Sequence, residues 1–245
     1  MIENQHSNLV LLVEGDTEQY LYESWLRHRH PELTRVPLVA DLEHSNYVLV
    51  NGKGYPQYMR NLASLLLDID KHPGRVSEFW ICVDSEEETY EGRYQYLLNA
   101  VSTNRDQIGI KKSNPSLTCR IIVQHCCVET WLLGNAGFLR QGPQGRDLIE
   151  FKRFFDVSTQ DPEEMGTFPG YITRASSHQA YLKAMFRERG QSYSKQHPAA
   201  AREANYLDAL EQRCRTTPHL RSLRELFAGM SASVWRKMWV GGLDG

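Results

Sequence analysis

The stretch Leu9-Val-Leu-Leu-Val13, followed directly by Glu14-Gly15-Asp16-Thr17-Glu18, decides the fold of this 245-residue chain. Five consecutive apolar residues are typical of a strand that is buried on both faces, as in parallel sheets covered by helices. Asp16, with Gln19 three residues later, resembles the start signal of a helix. Apolar residues with helical spacing then follow at Leu21, Tyr22, Trp25 and Leu26. The stretch therefore predicts a buried strand that leads into a helix.

The same alternation continues to residue 135. Short apolar runs at residues 47–50 and 79–83 predict two further strands, and residues 119–123, which are apolar apart from Arg120, predict a fourth. Amphipathic stretches at residues 58–69 and 94–101 predict helices between them. Strands that alternate with helices at this rhythm form βαβ units, so the first 135 residues are predicted to be an α/β domain with a Rossmann-like parallel sheet flanked by helices.

The pattern changes in residues 136–245, where helical spacing recurs without a convincing strand. Residues 141–170 are rich in Gly, Pro and charge, which favours a loop with one short helix near residues 149–155. Residues 1–135 carry 12 Lys/Arg and 18 Asp/Glu, whereas residues 136–245 carry 16 Lys/Arg and 12 Asp/Glu. We expect a basic helical extension packed on the core, and the charge asymmetry would suit a surface on it for a polyanion. On charge alone, chance scatter of charged residues over solvated helices is the favoured explanation.

The composition indicates a protein without membrane spans, an export signal or a disulfide framework. The chain is 41% apolar and 24% charged, and no segment approaches the roughly 20 apolar residues that a membrane span needs. The first eight residues lack the pattern of an export signal. The cysteine count is odd, at five, which favours reduced thiols over a disulfide framework. These features predict a cytoplasmic protein without a membrane partner.

Acidic residues follow the predicted strands at the point where each strand ends. Parallel sheets bind ligands beyond the carboxyl ends of their strands, so these side chains should meet. The residues are Glu14, Glu18, Asp84, Glu86 and Glu129. Carboxylates crowded together repel one another unless a cation neutralises them, and hard oxygen ligands select Mg²⁺ or Mn²⁺. The sequence therefore predicts a divalent-metal site, with helix N-capping as the alternative role for any one of these carboxylates.

These motifs resemble the TOPRIM domain of topoisomerases, primases and OLD-type (overcoming lysogenization defect) nucleases. The resemblance lies in Glu14-Gly15-Asp16-Thr17-Glu18 after a first strand and Asp84-Ser85-Glu86 after a later one, and it covers roughly residues 9–135. The second motif of that family is usually Asp-x-Asp, so Glu86 departs from it by one methylene. The extra methylene shifts the position of the ligating oxygen.

Three further features resemble the nuclease branch of the family. Glu18 fits its Glu-Gly-x-Thr-Glu/Asp form, and Val-Glu129-Thr-Trp-Leu-Leu resembles small stand-alone TOPRIM-like proteins encoded near ATPases. Tyr193-Ser194-Lys195 resembles the same proteins, which implies that Lys195 stabilises charge on the scissile phosphate. An ordinary surface lysine is the alternative. The resemblance implies a nuclease acting in defence against phage or mobile DNA with an ATPase partner, and DNA is favoured over RNA as substrate.

The residue types define a mechanism. Two divalent ions can clamp the attacking and leaving oxygens of a phosphoryl displacement. Glu14 is predicted to be a ligand and general base, Asp84 and Glu86 ligands, and Glu18 with Glu129 the ligands of a second ion. Glu14, Asp84, Glu86 and Lys195 form the predicted catalytic set. A non-cleaving subunit of an ATPase complex that binds metal or nucleotide is the alternative, and nucleotidyl transfer, as in primases, is a third hypothesis.

A zinc site is a weaker hypothesis. Cys126 and Cys127 follow His125, and Cys82 lies within the predicted strand at residues 79–83. Adjacent cysteines lack the Cys-x₂-Cys spacing of structural zinc sites. Packing at the strand ends is therefore the favoured role for these thiols.

Overall fold

A computed structural model describes residues 8–108, 114–143 and 145–232 of the chain. The strands are β1 (Leu9–Val13), β2 (Thr34–Arg35), β3 (Asn46–Asn51), β4 (Glu78–Asp84) and β5 (Thr118–Gln124). The helices up to the end of the sheet are α1 (Asp16–Arg29), α2 (Gln57–Lys71) and α3 (Tyr90–Ile108). The helices that follow are α4 (Val128–Leu132), α5 (Arg146–Phe154), α6 (Arg174–Glu188), α7 (Ala204–Thr216) and α8 (Arg221–Ala232).

The five strands form one sheet in the order β2-β3-β1-β4-β5, with parallel pairing throughout. The predicted α/β class with a parallel, Rossmann-like sheet is therefore confirmed, and the four predicted strands lie within one residue of their observed bounds. The sequence pattern missed β2, because its two residues are exposed and lie at the edge of the sheet. β1 lies at the centre, where both of its neighbours arrive by crossover connections.

Each face of the sheet carries its own hydrophobic core. Side chains alternate across a strand, so Leu9, Leu11 and Val13 face one cluster while Val10 and Leu12 face the other. The second cluster is completed by apolar residues of α2 and α3. The first is completed by α1 and by the helices that follow β5. A strand covered on both faces has no polar side, which explains the continuous apolar run in the sequence.

The chain after residue 135 belongs to this first core. Tyr181, Phe186 and Leu207 are fully buried in the same cluster as β1 and α1. The short helix expected near residues 149–155 is α5, and the described residues after β5 form helices and loops without a strand. None of the described helices combines the length and apolar character that crossing a bilayer requires.

Helix α1 begins at Asp16, where the sequence predicts a helix start. Gly15 occupies the N-cap position and makes no side-chain cap, so Asp16 is the first helical residue and not the cap. The Asp16 carboxylate instead accepts a hydrogen bond of 2.7 Å from the Asn51 amide at the end of β3. This contact ties the first turn of α1 to the neighbouring strand and fixes how the helix leaves the sheet.

Candidate metal centre

Glu14 and Asp84 meet at the carboxyl edge of the sheet because they end the neighbouring strands β1 and β4. The backbone N–H of Asp84 donates a hydrogen bond of 3.0 Å to Glu14 Oε2. Glu14 therefore does not cap α1, which was the alternative role for this carboxylate. The bond turns the Glu14 side chain across the sheet toward the acidic residue of the next strand.

Glu18 folds back from the first turn of α1 over the strand end. Its carboxylate comes so close to Gly15 that a Cβ added there would lie 3.2 Å from Glu18 Oε2. Glycine at position 15 thus leaves room for the carboxylate, which gives a physical reason for the glycine in the motif. The side chain is buried, with the whole residue only 6% exposed. Burial, followed by repulsion from Glu129 and Glu14, raises the pKa of Glu18 to about 7, against 4.5 for an ordinary glutamate.

Asp84 and Glu14 are perturbed in the same direction. Burial raises the pKa of Asp84 well above its usual range, and repulsion from Glu18, Glu14 and Glu129 adds to the effect. Burial also raises the pKa of Glu14, although the hydrogen bond from Asp84 opposes the rise. Asp84 Oδ1 is buried and has no hydrogen-bond partner among the described residues. A buried polar atom without a partner is costly, so this oxygen is available to a ligand.

Glu129 approaches from the other side of the sheet edge, on the short helix α4 that follows β5. The residue is 1% exposed, and its Oε1 accepts a hydrogen bond of 3.1 Å from the Tyr193 hydroxyl. Burial raises the pKa of Tyr193 well above its usual range, and the charge of Glu129 raises it further. Tyr193 therefore stays protonated and donates to Glu129. The sequence placed this tyrosine beside Lys195 but gave it no role of its own.

Lys195 brings a positive charge to the carboxylates. Burial lowers the pKa of Lys195, but attraction to Glu129, Asp84 and Glu18 outweighs that effect and leaves the pKa raised. The lysine is held through its backbone, since the Thr17 hydroxyl donates a hydrogen bond of 3.0 Å to the Lys195 carbonyl. The structure thus brings a residue 178 positions away along the chain to the start of α1.

Glu86 stands apart from the other four carboxylates. Its side chain is exposed, and its backbone adopts a φ of 51°, in the left-handed region. Its N–H donates to the Cys126 carbonyl at 2.7 Å, while its own carbonyl accepts from Arg174. Repulsion from Glu86 contributes to the raised pKa of Glu14, after burial. Glu86 therefore lies at the rim of the acidic cluster, whereas Glu14, Glu18, Asp84 and Glu129 form its interior.

Arg93, at the end of the first turn of α3, is a further charged residue that the sequence pattern did not identify. Its charge opposes the burial that raises the pKa of Glu14. The guanidinium lies 5.3 Å from the centre of the Tyr55 ring, and its Nη2 is 3.3 Å from Glu88. Nothing in the local pattern distinguishes Arg93 from a solvated helix residue, because its position depends on how α3 packs against the sheet.

A second group of ligand types lies beneath the carboxylates. Among the described residues, the group of three His, Cys, Asp or Glu side chains with ligand atoms within 4.8 Å of one another is Cys126, Cys127 and His178. The carboxylates, which repel one another, do not form a group as tight. The imidazole uses both nitrogens within the protein, since Nδ1 is 2.8 Å from Thr130 Oγ1 and Nε2 donates to the Met165 carbonyl at 3.1 Å. Burial also lowers the pKa of His178 to about 4.

Because both nitrogens of His178 are engaged within the protein, these contacts favour the packing role predicted for the cysteines over a zinc site. Cys82 is a separate buried thiol, whose pKa burial raises to about 12, and it adds no ligand to the group. Comparison of the chain with protein-family models, with curated proteins and with solved structures gives no significant match. The site must therefore be interpreted from its own geometry and chemistry.

Proposed function

We propose that this protein is a metal-dependent nuclease with a TOPRIM-like catalytic core, which hydrolyses phosphodiester bonds in DNA. The observation that carries the proposal is the convergence of Glu14, Glu18 and Asp84, each with a raised pKa, on one edge of the sheet with Lys195 beside them. Carboxylates that are buried together at a cost to their own ionisation are characteristic of a functional site.

The residues present fit a hard divalent cation. Asp84 offers a buried oxygen without a hydrogen-bond partner among the described residues. The carboxylates of Glu14, Glu18 and Glu129 lie close enough for their charges to raise the pKa of Asp84. All the donors are carboxylate oxygens, which favours Mg²⁺ or Mn²⁺ over zinc. When bound, such ions supply positive charge that stabilises a phosphate under attack and make a neighbouring water a better nucleophile.

Residues of the protein would bind the ions, accept a proton and stabilise negative charge. Glu14, Asp84, Glu18 and Glu129 would hold the ions, with Glu86 contributing from the rim. Glu14 also accepts the proton of the attacking water, and its raised pKa brings it closer to the range that suits a general base. Lys195 places a positive charge beside a non-bridging phosphate oxygen, where negative charge grows during the reaction. Tyr193 orients Glu129 by its hydrogen bond.

A role in defence against phage or mobile DNA, together with an ATPase partner, rests on the resemblance of two segments. These are the segment from Glu14 to Glu18 and the segment around Glu129, which are similar to OLD-type nucleases and to small TOPRIM-like proteins encoded near ATPases. We therefore include an ATPase as a component of the activity assay.

The proposal is tested by cleavage of supercoiled plasmid and linear DNA with Mg²⁺, Mn²⁺ or EDTA. Wild type, Glu14→Ala and Glu164→Ala are compared, alone and with any ATPase encoded beside the gene. Glu164 is exposed and does not belong to the acidic cluster, so Glu164→Ala controls for the loss of a glutamate. We expect metal-dependent cleavage that Glu14→Ala abolishes and Glu164→Ala retains. Equal behaviour of wild type and Glu14→Ala in every condition contradicts the proposal.

One observation favours a non-cleaving alternative, a subunit of an ATPase complex that binds metal or nucleotide. Glu86, which replaces the usual aspartate of the family's second motif, is exposed and contacts its neighbours through its backbone. A catalytic ligand is expected to point inward. Stabilisation by Mg²⁺ or Mn²⁺ without phosphodiester turnover in any of the conditions above would support this alternative.

A further inference from the structure

We propose that a basic pocket at the far end of α1 binds the phosphate backbone of the nucleic acid whose cleavage is proposed above, on which this inference rests. The pocket is a cavity of about 440 Å³ between the last turns of α1 and the loop that follows Lys195. Its walls include Ser24, Arg27, His197, Arg202 and Glu203, and we call it the α1 pocket.

Arg202 is positioned for a ligand by contacts at its stem. Its Nε donates a hydrogen bond of 3.0 Å to the Ser24 hydroxyl, and its guanidinium lies 5.7 Å from the centre of the Tyr20 ring. Its terminal nitrogens have no acceptor within the described part of the chain. A guanidinium fixed at Nε and unpaired at its ends presents a planar fork of donors, which matches the oxygens of a phosphate.

The loop that carries Arg202 is pinned to α1 through its backbone. Trp25 Nε1 donates to the Ala201 carbonyl at 3.1 Å, and His28 Nε2 donates to the Arg202 carbonyl at 3.1 Å. Two anchors on one helix hold a single short turn, Ala199–Arg202. The pocket is therefore formed before a ligand arrives, which reduces the entropy lost on binding.

The positive charges of the α1 pocket are only partly neutralised by the protein. Arg27 meets Glu23 at 3.5 Å on the surface, with 67% of its side chain exposed, and such pairs are weak. The lining of the pocket contains two arginines, Arg27 and Arg202, and one acidic residue, Glu203. The next arginine of the same helix, Arg29, differs, because Asp208 and Glu211 hold it at 2.7 and 2.6 Å. Arg29 is therefore engaged in ion pairs within the protein, whereas Arg27 and Arg202 are able to bind an anion.

The position of the pocket identifies the anion as part of a long polyanion. Arg27 lies nine positions after Glu18 in α1, which is about 13.5 Å along the helix. That length corresponds to about four base-pair steps of DNA, in which each strand carries one phosphate per ~3.4 Å. The loop after Lys195 also runs from the acidic cluster to the α1 pocket, since the Lys195 carbonyl accepts a hydrogen bond from the Thr17 hydroxyl at the start of α1. A strand with its scissile phosphate beside Lys195 would therefore reach the α1 pocket a few nucleotides away.

The experiment measures binding of a fluorescein-labelled 30-base-pair DNA duplex by anisotropy in EDTA, so that no cleavage occurs. The salt concentration is varied from 50 to 200 mM. Wild type is compared with Arg27→Gln, Arg202→Gln and the double variant. Arg146→Gln is the matched control, because Arg146 is 88% exposed at its side chain, lies on α5 and pairs with Glu150. Thermal melts establish that each variant is folded, and Arg27→Gln alone tests the pocket should Arg202→Gln unfold.

We expect the slope of log affinity against log salt to fall by about 0.9 for each arginine removed. The fold-loss of affinity between 50 and 200 mM salt is then smaller than that of wild type by about 3.5-fold for each single variant and by about twelvefold for the double variant. Arg146→Gln should match wild type. An unchanged slope in the double variant, or no binding by wild type, overturns the inference.

A second arm separates DNA from free phosphate. Inorganic phosphate is added at constant ionic strength, and its effect on the melting temperature is measured. Stabilisation that depends on Arg27 and Arg202, with an unchanged DNA slope, would show a small-anion site and overturn the inference. The inference and the nuclease proposal fail separately: a wild type that binds through the pocket but never cleaves refutes only the nuclease. A double variant that binds like wild type while Glu14→Ala abolishes cleavage refutes only the pocket.

Discussion

Replacing Glu18 by glutamine should stabilise the metal-free protein at high pH. The folded-state pKa of Glu18 is raised to about 7 from 4.5, chiefly by burial. Stability from a group whose pKa rises on folding is fully present below the unfolded pKa and is lost as pH rises through the folded one. At pH 8 the ionised carboxylate therefore costs about 3 kcal/mol, and at pH 5 it costs under about 1 kcal/mol. Glutamine keeps the shape and removes the charge.

The assay is urea unfolding at pH 5 and pH 8 in EDTA, with wild type, Glu18→Gln and Glu164→Gln. We expect Glu18→Gln to raise the free energy of unfolding by up to about 3 kcal/mol at pH 8 and by under about 1 kcal/mol at pH 5. Glu164→Gln, an exposed control, should change little at either pH. With Mg²⁺ present the order should reverse, because the variant has lost a ligand. A variant no more stable than wild type at pH 8, or a gain independent of pH, refutes the reasoning.

Three further predictions follow from the same contacts. Tyr193→Phe removes the donor to the buried Glu129 carboxylate and should lower the free energy of unfolding at pH 8 by about 1–3 kcal/mol, measured in urea; an unchanged value contradicts that role. Gly15→Ala places a methyl group 3.2 Å from Glu18 Oε2 and should weaken Mn²⁺ binding about tenfold, as measured by calorimetry. Gly142→Ala, which has open space around it, should leave the affinity for Mn²⁺ unchanged. Equal affinities of the two variants would exclude the steric role of Gly15. The rise in melting temperature on adding Mg²⁺ should grow from pH 6 to pH 8 as the raised carboxylates ionise, and a rise that is flat with pH would count against them as ligands.

The central strands were predictable because they are buried on both faces. The runs at β1, β3 and β4 are continuous and apolar, and the run at the edge strand β5 is broken only by Arg120, so the pattern survives in the sequence without any tertiary information. β2 was not predictable, since two exposed residues paired at an edge leave no pattern. Its strand depends on the backbone of β3 being there to pair with it.

The candidate site was predictable only where it follows the strands. Glu14 and Asp84 could be placed because each ends a central strand, and parallel strands bring their carboxyl ends to one edge. The inward position of Glu129 and the outward position of Glu86 depend on side-chain direction, which sequence spacing does not give. Arg93 carries no local signal, and Lys195 was identified by resemblance alone. The helix start at Asp16 was predictable from its local signal, whereas the partner of its carboxylate, Asn51, is distant in sequence and was not.

Binding of Mn²⁺ to the acidic cluster is the central claim, and titration followed by the electron paramagnetic resonance signal of free Mn²⁺ tests it directly. The titration is made at pH 8 with wild type and Asp84→Asn, which loses the buried oxygen without a partner but keeps its shape. We predict that wild type binds Mn²⁺ at the cluster and that Asp84→Asn, although folded, binds it far more weakly. Absence of binding by wild type, or equal binding by the two proteins, would contradict a metal centre at this edge of the sheet.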